Sequence, residues 1–394
     1  MEIYLDNSAT TLPYPEVAQE VYNVMTKTYG NPSSLHAMGI EASRAMEAAA
    51  VRIANTLKCT PDEIYFTSGG TEANNLAVFG ACYANRGSHI ITSAIEHPAT
   101  LQAADNIQGR GYDIDLLEVD ENGIMDLAQL ESIITNDTVL VSIMHVNNEV
   151  GTVQDLEKIG RIIKSKNPKT VYHIDAIQSY CKIPIIPKNV YADMVSLSSH
   201  KIHGPMGVGA LYVKNGVKIT PTIFGGGQQK NIRPGTENVS GIAGFGLASH
   251  MAHSNMAENS ERMSKLREKL RDGILSTIPE VRVNTPANTR PNGHPLSKEG
   301  LDVCAPHILN VSFDRTKSEV LLHSLEQVGI FVSSGSACSS HKKDKRSYVL
   351  QSMDIPFNWI DGSIRFSLSE FITEADIDYT LEKLREIVER LRNI

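Results

Sequence analysis

The sequence predicts an α/β protein with a mostly parallel sheet that carries helices on both faces. Between about residues 63 and 213, short runs rich in Val and Ile alternate with helical patterns, as in βα units laid side by side. The chain has 394 residues, more than one core usually accommodates. Its hydrophobic fraction of 41% and charged fraction of 21% are ordinary for a globular protein. We therefore expect a large α/β domain and a second, smaller one.

Seven apolar runs predict the strands of the large domain. In chain order they are EIYFTS, HIITSAI, YDIDLLEV, VLVSIMHV, VYHIDAI, DMVSLSS and GALYV. The glycine-rich stretch FGGGQQKNIRPGTEN follows, and a charged helix with one apolar face begins near Ser260. We place the large domain at residues 14–258.

The remaining residues, 1–13 and 259–394, predict a small α+β domain. Its strands HILNVSF, GIFVSSGS and SIRFSLS alternate with helices that begin near Lys317 and Thr373. A capping-box pattern at Thr373 marks the start of the last helix. The stretch 284–307 is rich in Pro, Gly and Asn, and we interpret it as a surface excursion.

Charge and cysteine usage narrow the classes of partner. A formal net charge of -8 gives no general attraction to nucleic acid or to an anionic membrane. No run approaches the ~18 apolar residues of a membrane helix, and the start MEIYLDNSATT lacks a signal-peptide pattern, so we expect a cytoplasmic protein. The five cysteines show no CxxC pairing, which predicts neither a disulfide framework nor a zinc site. A functional cysteine would act as a thiol.

The stretch VSLSSHKIHGPMGVGAL places Lys201 directly after a predicted buried strand. The glycine-rich turn that follows allows a backbone to approach a ligand closely. A solvent-exposed lysine is the ordinary alternative, but these flanks favour a side chain that contacts a ligand. A desolvated lysine amine reacts with carbonyl groups to form a Schiff base.

Three other strand ends carry polar residues that suit one cofactor. Gly70 and Thr71 open a helix whose free N–H groups can bind a phosphate, although such a turn is often only a tight connection. His97 follows a strand, where a structural histidine is the ordinary alternative. Asp175 lies among apolar residues and needs a compensating cation, which a protonated pyridine nitrogen supplies. Together with Lys201, these residues describe a pyridoxal-phosphate site.

Motifs along nearly the whole chain, in order, resemble those of the pyridoxal-phosphate-dependent cysteine desulfurases of the class V aminotransferase group. They are YLDNSATT, GNPSSLH, FTSGGTEANN, EHPA, HVNNEVG, HIDAIQ, SSHKIHGPMGVGAL, RPGTEN, SSGSAC and SIRFS. The resemblance implies the architecture of a fold type I pyridoxal-phosphate enzyme.

The same resemblance implies a role for each residue of the cofactor site. Lys201 forms the Schiff base, Asp175 pairs with the pyridinium nitrogen and His97 stacks on the ring. Gln178 hydrogen-bonds the ring hydroxyl. The residues implied to hold the phosphate are Gly70, Thr71, Ser198 and His200.

Substrate and subunit contacts are implied in the same way. Asn148 meets the cofactor and the substrate, and Arg365 clamps the carboxylate of L-cysteine with two hydrogen bonds. By itself, an arginine midway along a strand is more often a partly exposed edge residue. Thr236 reaches the phosphate of a neighbouring subunit, which implies a homodimer.

Cys338, in VSSGSACSSHKKDKRSY, is the implied nucleophile that accepts sulfur. Small residues surround it, and the positive charges that follow it favour the thiolate, although the same run could be a solvated loop. The stretch from Ser339 to Ser347 is similar in length to the long-loop branch of the family, in which this loop carries the persulfide to a partner protein. The other cysteines, in apolar, helical or excursion contexts, are predicted to be unreactive: Cys59, Cys82, Cys181 and Cys304.

The implied reaction converts L-cysteine to L-alanine and passes sulfur, through an enzyme persulfide, to an acceptor protein such as an iron-sulfur scaffold or a thiolation enzyme. A related aminotransferase or lyase with the same cofactor site is the alternative enzyme. A non-catalytic assembly module is the alternative outside enzymes, and it has no chemical need for the intact lysine, aspartate, histidine and arginine. The stretch 287–306 is longer than the family pattern, which bears on partner docking and not on the chemistry.

Overall fold

The computed structural model describes residues 2–287, 303–334 and 346–393. The strands in these residues are, in chain order, β1 (Ile3–Tyr4), β2 (Ile64–Thr67), β3 (His89–Ser93), β4 (Asp113–Leu117), β5 (Thr138–Met144), β6 (Val171–Asp175), β7 (Met194–Ser198), β8 (Gly209–Val213), β9 (Val281–Val283), β10 (Ile308–Phe313), β11 (Ile330–Phe331) and β12 (Ser363–Ser367).

Helices occupy much of the remaining chain, and short 3-10 turns lie at Pro61–Glu63, Ser199–Lys201 and Gln228–Asn231. The α-helices are α1 (Pro15–Lys27), α2 (Ala37–Leu57), α3 (Gly70–Ala84), α4 (Pro98–Gln108), α5 (Leu127–Ile133), α6 (Leu156–Lys166), α7 (Val239–Ser254), α8 (Met256–Thr277), α9 (Ser318–Glu326), α10 (Tyr348–Ser352), α11 (Phe357–Ile360) and α12 (Glu374–Arg392).

The main sheet has seven strands in the order β2-β8-β7-β6-β5-β3-β4. Strands β3 to β7 pair in parallel with one another, whereas β8 is antiparallel to both β2 and β7. The predicted mostly parallel seven-stranded sheet is therefore confirmed. Because the strands are parallel, the carboxyl ends of β3, β5, β6 and β7 meet at one edge of the sheet, where α/β proteins bind ligands.

Both faces of this sheet are covered by helices, as the strand pattern predicts. Successive side chains of β8 belong to two hydrophobic cores, one on each face of the sheet, because side chains alternate between the two faces of a strand. Ala210 and Tyr212 pack with α2 and α7, and Leu211 and Val213 pack with α3 and α4. Burying each larger apolar side chain stabilises the fold by roughly 1.5–3 kcal/mol.

A second core lies around a smaller antiparallel sheet of order β12-β10-β9. Helices α8 and α12 pack on it through residues such as Leu270 and Leu384. The N-terminal residues Ile3 and Leu5 belong to the same core, because β1 pairs in parallel with β11. This pairing ties the N-terminal residues to the second core.

The N-terminal segment then crosses from the second core to the carboxyl edge of the main sheet. Asn7 N–H donates to the Ser367 carbonyl at 3.2 Å, and Thr11 N–H donates to the His200 carbonyl at 2.9 Å. Residues 6–11 therefore lie over the strand ends at which the sequence predicts the cofactor site.

The structure corrects the predicted surface excursion at its described end. Cys304 is 4% exposed, and the neighbouring residues are held by backbone hydrogen bonds to the segment after β5. Val153 N–H donates to the Val303 carbonyl at 2.9 Å, and Ala305 N–H donates to the Gly151 carbonyl at 2.7 Å. The Pro and Gly content of the excursion could not reveal this long-range pairing. Residues 288–302 lie outside the described residues.

Candidate active site

Asp175 is a deeply buried carboxyl group at the carboxyl edge of the sheet. It ends β6 and is 3% exposed. Its Oδ2 accepts a 2.7 Å hydrogen bond from Asn74 Nδ2, and its Oδ1 accepts from Ile177 N–H at 3.0 Å. Burial raises the pKa of Asp175, and these donors with His97 and Lys201 act against that rise. A cationic ring nitrogen would supply the compensation that the carboxylate needs.

Asn74 is a site residue that the sequence analysis missed. It lies one turn into α3, on the helix that Gly70 opens, and is fully buried. Its neighbour Asn75 instead donates to the Thr71 carbonyl. The i, i+4 spacing from Gly70 is the signal that places Asn74, rather than Asn75, on the face toward the strand ends.

His97 supplies a neutral imidazole beside this carboxylate. It is the N-cap of α4, and its Nδ1 accepts from Ala99 N–H at 3.1 Å. Burial lowers the pKa of His97, Asp175 raises it and Lys201 lowers it. Three of the residues grouped by the sequence analysis, Asp175, His97 and Lys201, therefore lie close enough to interact electrostatically.

Lys201 closes the 3-10 turn that follows β7. Its Nζ donates to the carbonyl oxygens of Ser8 and Ala9, at 2.5 and 2.7 Å. Its own carbonyl accepts from Lys182 Nζ at 2.7 Å. Both ends of Lys201 are therefore held by neighbouring elements, and the crossing N-terminal segment is one of them.

The start of α3 forms a close-packed turn beside β7. A Cβ on Gly70 would lie 2.2 Å from Ile177 Cδ1 and 3.6 Å from Ser198 Cβ. Gly69 has φ of 155°, in the region that favours glycine. A Cβ on Gly209 would meet the Gly69 backbone at 2.8 Å. At Gly70 and Gly209 there is room only for backbone, and a phosphate could approach the free N–H groups at the start of α3.

Several buried polar atoms at this edge fit a phosphorylated pyridine ring. Ser198 Oγ, Gln178 Oε1 and Asn148 Oδ1 have no hydrogen-bond partner among the described residues. Buried polar atoms in folded proteins are nearly always paired, so these three suit a ligand. The other end of the Gln178 amide donates to the Ser8 carbonyl at 2.9 Å.

The other two predicted phosphate ligands, Thr71 and His200, differ in exposure. Thr71 is exposed at the first turn of α3. The His200 Nδ1 is 3.2 Å from Thr10 Oγ1, and burial lowers the pKa of this histidine to about 4. The His200 imidazole is therefore neutral, which leaves it able to donate one hydrogen bond.

Thr236 is exposed, on the segment between β8 and α7. No hydrogen bond between Thr236 and Gly70 or Ser198 is found in the described part of the chain. The segment is tied to α3 by a 2.7 Å ion pair between Arg233 Nε and Glu72 Oε1. The predicted reach of Thr236 into a neighbouring subunit stays a prediction.

Arg365 lies on β12 and is 6% exposed, so the ordinary expectation of a partly exposed edge arginine is wrong here. Its Nη1 donates to the Asn148 carbonyl at 2.9 Å, and its Nη2 contacts Asp6 Oδ1 at 2.6 Å. Its Nε is buried and has no partner among the described residues. Asp6, which the sequence analysis missed, is far from Arg365 in the chain and carries no local signal.

Cys338 lies outside the described residues, as do the basic residues His341, Lys342, Lys343 and Lys345. Arg346, the next residue described, pairs with Asp361 at 2.8 Å. Burial raises the pKa of three other thiols to about 12, which keeps them protonated: Cys59, Cys82 and Cys181. Cys304 is buried, with its Sγ 2.9 Å from Arg267 Nη1.

Glu96 is a second buried carboxyl group that the sequence analysis missed. It precedes His97, and burial raises its pKa to about 8. Its Oε1 accepts from Ser93 Oγ at 2.7 Å and from Met144 N–H at 2.8 Å. The protonated form of Glu96 places an uncharged group beside Asp175.

Within residues 2–287, 303–334 and 346–393, no helix is long and apolar enough to cross a membrane. The same residues contain no group of three or more His, Cys, Asp or Glu side chains that could hold a metal ion.

Known proteins similar to this chain identify its family. The family Aminotransferase class-V matches residues 3–380. "Cysteine desulfurase IscS" of Clostridium botulinum strain Hall is 42% identical, over 100% of this chain and 96% of its own length. The protein of the same name from Methanosarcina thermophila is 41% identical, over 100% of this chain and 93% of its own.

Solved structures agree with these relatives. A structure described as "NIFS-LIKE PROTEIN" superposes with a TM-score of 0.90 at 38% identity, covering 99% of this chain and 100% of its own. A NifS-like protein from Rickettsia africae gives a TM-score of 0.85 at 34% identity, covering 99% of this chain and 100% of its own. The chain therefore belongs to the class-V aminotransferase family and, within it, to the pyridoxal-phosphate-dependent cysteine desulfurases.

Proposed function

We propose that this cysteine desulfurase converts L-cysteine to L-alanine with Lys201 as its proton-transferring base and Cys338 as its sulfur acceptor. The observation that carries the proposal is the buried Asp175 at one strand end, with the imidazole of His97 and the amine of Lys201 interacting with it electrostatically. Such a carboxylate is costly to bury without a cation. A protonated pyridine nitrogen removes that cost.

The residues that would hold the cofactor follow from the same geometry. The start of α3 at Gly70, the Ser198 hydroxyl and the neutral His200 suit the phosphate group. Gln178 suits the ring hydroxyl through its unpaired Oε1, and the flat His97 ring suits stacking. Exposed Thr71, on the first turn of α3, suits an outer phosphate oxygen. When bound, pyridoxal phosphate supplies a carbon that reacts with amines and a ring that accepts electrons.

The chain's own residues then orient the substrate and move its protons. Arg365 presents a guanidinium for the α-carboxylate, while Asp6 and the Asn148 carbonyl hold that guanidinium in place. Asn148 presents its unpaired Oδ1 to the cofactor and substrate. Lys201, once its Nζ leaves the carbonyls of Ser8 and Ala9, is the amine available to take the α-proton.

Sulfur leaves the substrate only if a nucleophile accepts it. The Cys338 thiolate forms a sulfur–sulfur bond as the substrate carbon–sulfur bond breaks. The electron pair of the broken bond stays with the carbon, which is protonated to become the methyl group of alanine. The persulfide on Cys338 is then available to a sulfur-acceptor protein, either an iron-sulfur scaffold or a thiolation enzyme.

We also propose that the enzyme is a cytoplasmic homodimer that binds neither nucleic acid nor membrane directly. Large apolar side chains that are exposed in the single chain support a partner surface: Leu12, Tyr29, Leu35, Met206 and Phe224 are between 68% and 95% exposed. A second subunit would cover such a surface and could receive Thr236. The two cores support the division into domains at 14–258 and at 1–13 with 259–394.

The test is the reaction itself. The purified holoenzyme, incubated with L-cysteine, is expected to release alanine and sulfide in equal amounts when a reductant is present. Lys201→Ala should release neither, while Lys188→Ala, which changes an exposed lysine, should behave as wild type. Native-rate alanine release by Lys201→Ala would contradict the assignment. Release of pyruvate or an amino-group transfer product without alanine would indicate the lyase or aminotransferase instead.

A further inference from the structure

The two ends of the described chain on either side of Cys338 are both fixed to the substrate site. The chain before Cys338 is described to Ser334, and the preceding Ser333 pairs with Arg365. Arg365 N–H donates to the Ser333 carbonyl at 2.7 Å, and Ser333 N–H donates to the Arg365 carbonyl at 3.2 Å. The strand that carries the proposed carboxylate clamp therefore also holds one end of the Cys338 segment.

The other end is fixed by a buried carboxyl group, Glu149. Ser347, the N-cap of α10, donates from its hydroxyl to Glu149 Oε2 at 2.5 Å and accepts from Leu350 N–H at 3.1 Å. Glu149 and Ser347 are each 4% exposed. The Ser347 hydroxyl thus uses both its donor and its acceptor in a place from which water is excluded.

Glu149 is also adjacent in the chain to the peptide that holds the clamp. The carbonyl of Asn148 accepts the 2.9 Å hydrogen bond from Arg365 Nη1. Burial raises the pKa of Glu149 to about 7, and Ser347 and the Arg365 charge act against that rise. One short segment therefore contacts both the proposed substrate clamp and the start of α10.

Further contacts hold α10 against the same surroundings. Tyr348 donates from its hydroxyl to the Glu96 carbonyl at 2.5 Å. Val349 and Leu350 pack in one apolar cluster with Ile95 and Val150. The body of α10 is thus packed beside the segments that carry His97 and Asn148, and the Glu149 bond acts on its first turn.

We propose that Glu149 is a positioning residue for sulfur transfer, because it fixes the chain that follows Cys338 to the same segment that holds Arg365. Because Ser347 lies nine positions after Cys338, anchoring it limits how far the chain can carry the thiol from the substrate site, which raises the frequency of productive encounters between the two sulfurs. The inference rests on the proposed role of Cys338 as the sulfur acceptor.

The size of the effect follows from the hydrogen bond that is lost. In Glu149→Ala, the buried Ser347 hydroxyl has no acceptor for its proton, and leaving a buried donor unpaired lowers the population of the fixed arrangement by roughly fivefold or more. Glu149→Gln keeps an amide oxygen in the same place and should preserve the hydrogen bond. Comparing these two variants distinguishes the effect of losing the hydrogen-bond acceptor from the effect of losing the charge.

The experiment compares holoenzymes of the wild type, Glu149→Ala, Glu149→Gln and Gln351→Ala. Gln351→Ala changes a partly buried residue of the same helix and serves as the matched control. Each protein is mixed rapidly with L-cysteine, and the dissociation constant of cysteine is taken from the absorbance change of the bound cofactor. The rate at which sulfur appears on Cys338 is measured by quenching with an alkylating reagent and mass spectrometry. Hydrogen exchange of the Leu350 amide reports the capped turn independently of turnover.

In Glu149→Ala we expect transfer to Cys338 to slow by fivefold or more and Leu350 exchange to accelerate, while the cysteine dissociation constant changes less than twofold. Glu149→Gln and Gln351→Ala should stay within twofold of wild type. Should Glu149→Ala fail to fold, Ser347→Ala removes the same hydrogen bond from its other side. It should likewise slow sulfur transfer while changing the cysteine dissociation constant less than twofold. Unchanged transfer, or an equal loss in cysteine binding, would overturn the inference. A wild type that places no sulfur on Cys338 would instead refute the proposed function on which it rests.

Discussion

Asp175→Asn separates the structural role of this carboxyl group from its chemical one. The carboxylate is buried and accepts two hydrogen bonds, from Asn74 Nδ2 and Ile177 N–H. The new amide can still accept from Ile177 with its oxygen, and Asn74 can rotate its amide because its Oδ1 has no partner among the described residues. The protein without cofactor should therefore keep its wild-type free energy of unfolding to within about 1 kcal/mol.

The chemistry should suffer far more than the fold. A hydrogen bond to a charged group contributes roughly 1.5–3 kcal/mol, and Asp175→Asn removes the group that we propose holds a proton on the ring nitrogen. If that contribution is needed when the α-proton leaves, removal of the proton slows by about 10- to 150-fold. Cofactor binding should persist, because the proposed contacts at Gly70, Ser198 and Lys201 are unchanged.

The assay is exchange of the α-proton of L-alanine with deuterium from solvent, followed by NMR. It reports proton removal without any contribution from Cys338. Asp126→Asn, at the N-cap of the surface helix α5, is the matched control and should exchange at the wild-type rate. Exchange within threefold of wild type in a folded, cofactor-bound Asp175→Asn protein would refute the reasoning.

The remaining predictions concern the substrate clamp and a buried acid. Arg365→Ala should raise the KM for cysteine at least tenfold, because a bidentate charge-assisted contact is lost, and an unchanged KM in steady-state kinetics would leave the carboxylate contact unassigned. Burial raises the pKa of Glu96 to about 8 from an ordinary value of 4.5, so its stabilising contribution is complete below pH 4.5 and is lost as pH rises toward 8. From pH 6 to pH 8, the free energy of unfolding of the wild-type apoprotein, measured with urea, should fall by about 2 kcal/mol more than that of Glu96→Gln. Parallel pH dependence in the two proteins would show that Glu96 is not buried as a neutral acid.

The strand-end residues could be predicted from sequence because their signals are local. Asp175 among apolar residues, Lys201 between a buried strand and a glycine-rich turn, and His97 before a proline each stand out within a few positions. The parallel sheet then brings them together without further information. The alternation of apolar runs predicted the seven-stranded sheet for the same reason.

The supporting contacts could not be predicted, because they join distant parts of the chain. Asn74 and Asp175 are 101 positions apart, and Asp6 and Arg365 are 359 apart. Nothing in the residues around Asp6 or Glu149 distinguishes a buried partner from a surface acid. The buried end of the excursion at Cys304 was mispredicted for the same reason, since its composition is that of a surface loop and its burial comes from pairing with residues 151–153.

Mass spectrometry of the wild-type holoenzyme after brief exposure to L-cysteine tests the central claim most directly. We predict one added sulfur on the peptide that contains Cys338, with one alanine released for each sulfur bound. Cys338→Ser should still bind cysteine but gain no sulfur. Added sulfur on Cys59, Cys82, Cys181 or Cys304 instead, or alanine release at the wild-type rate by Cys338→Ser, would contradict it.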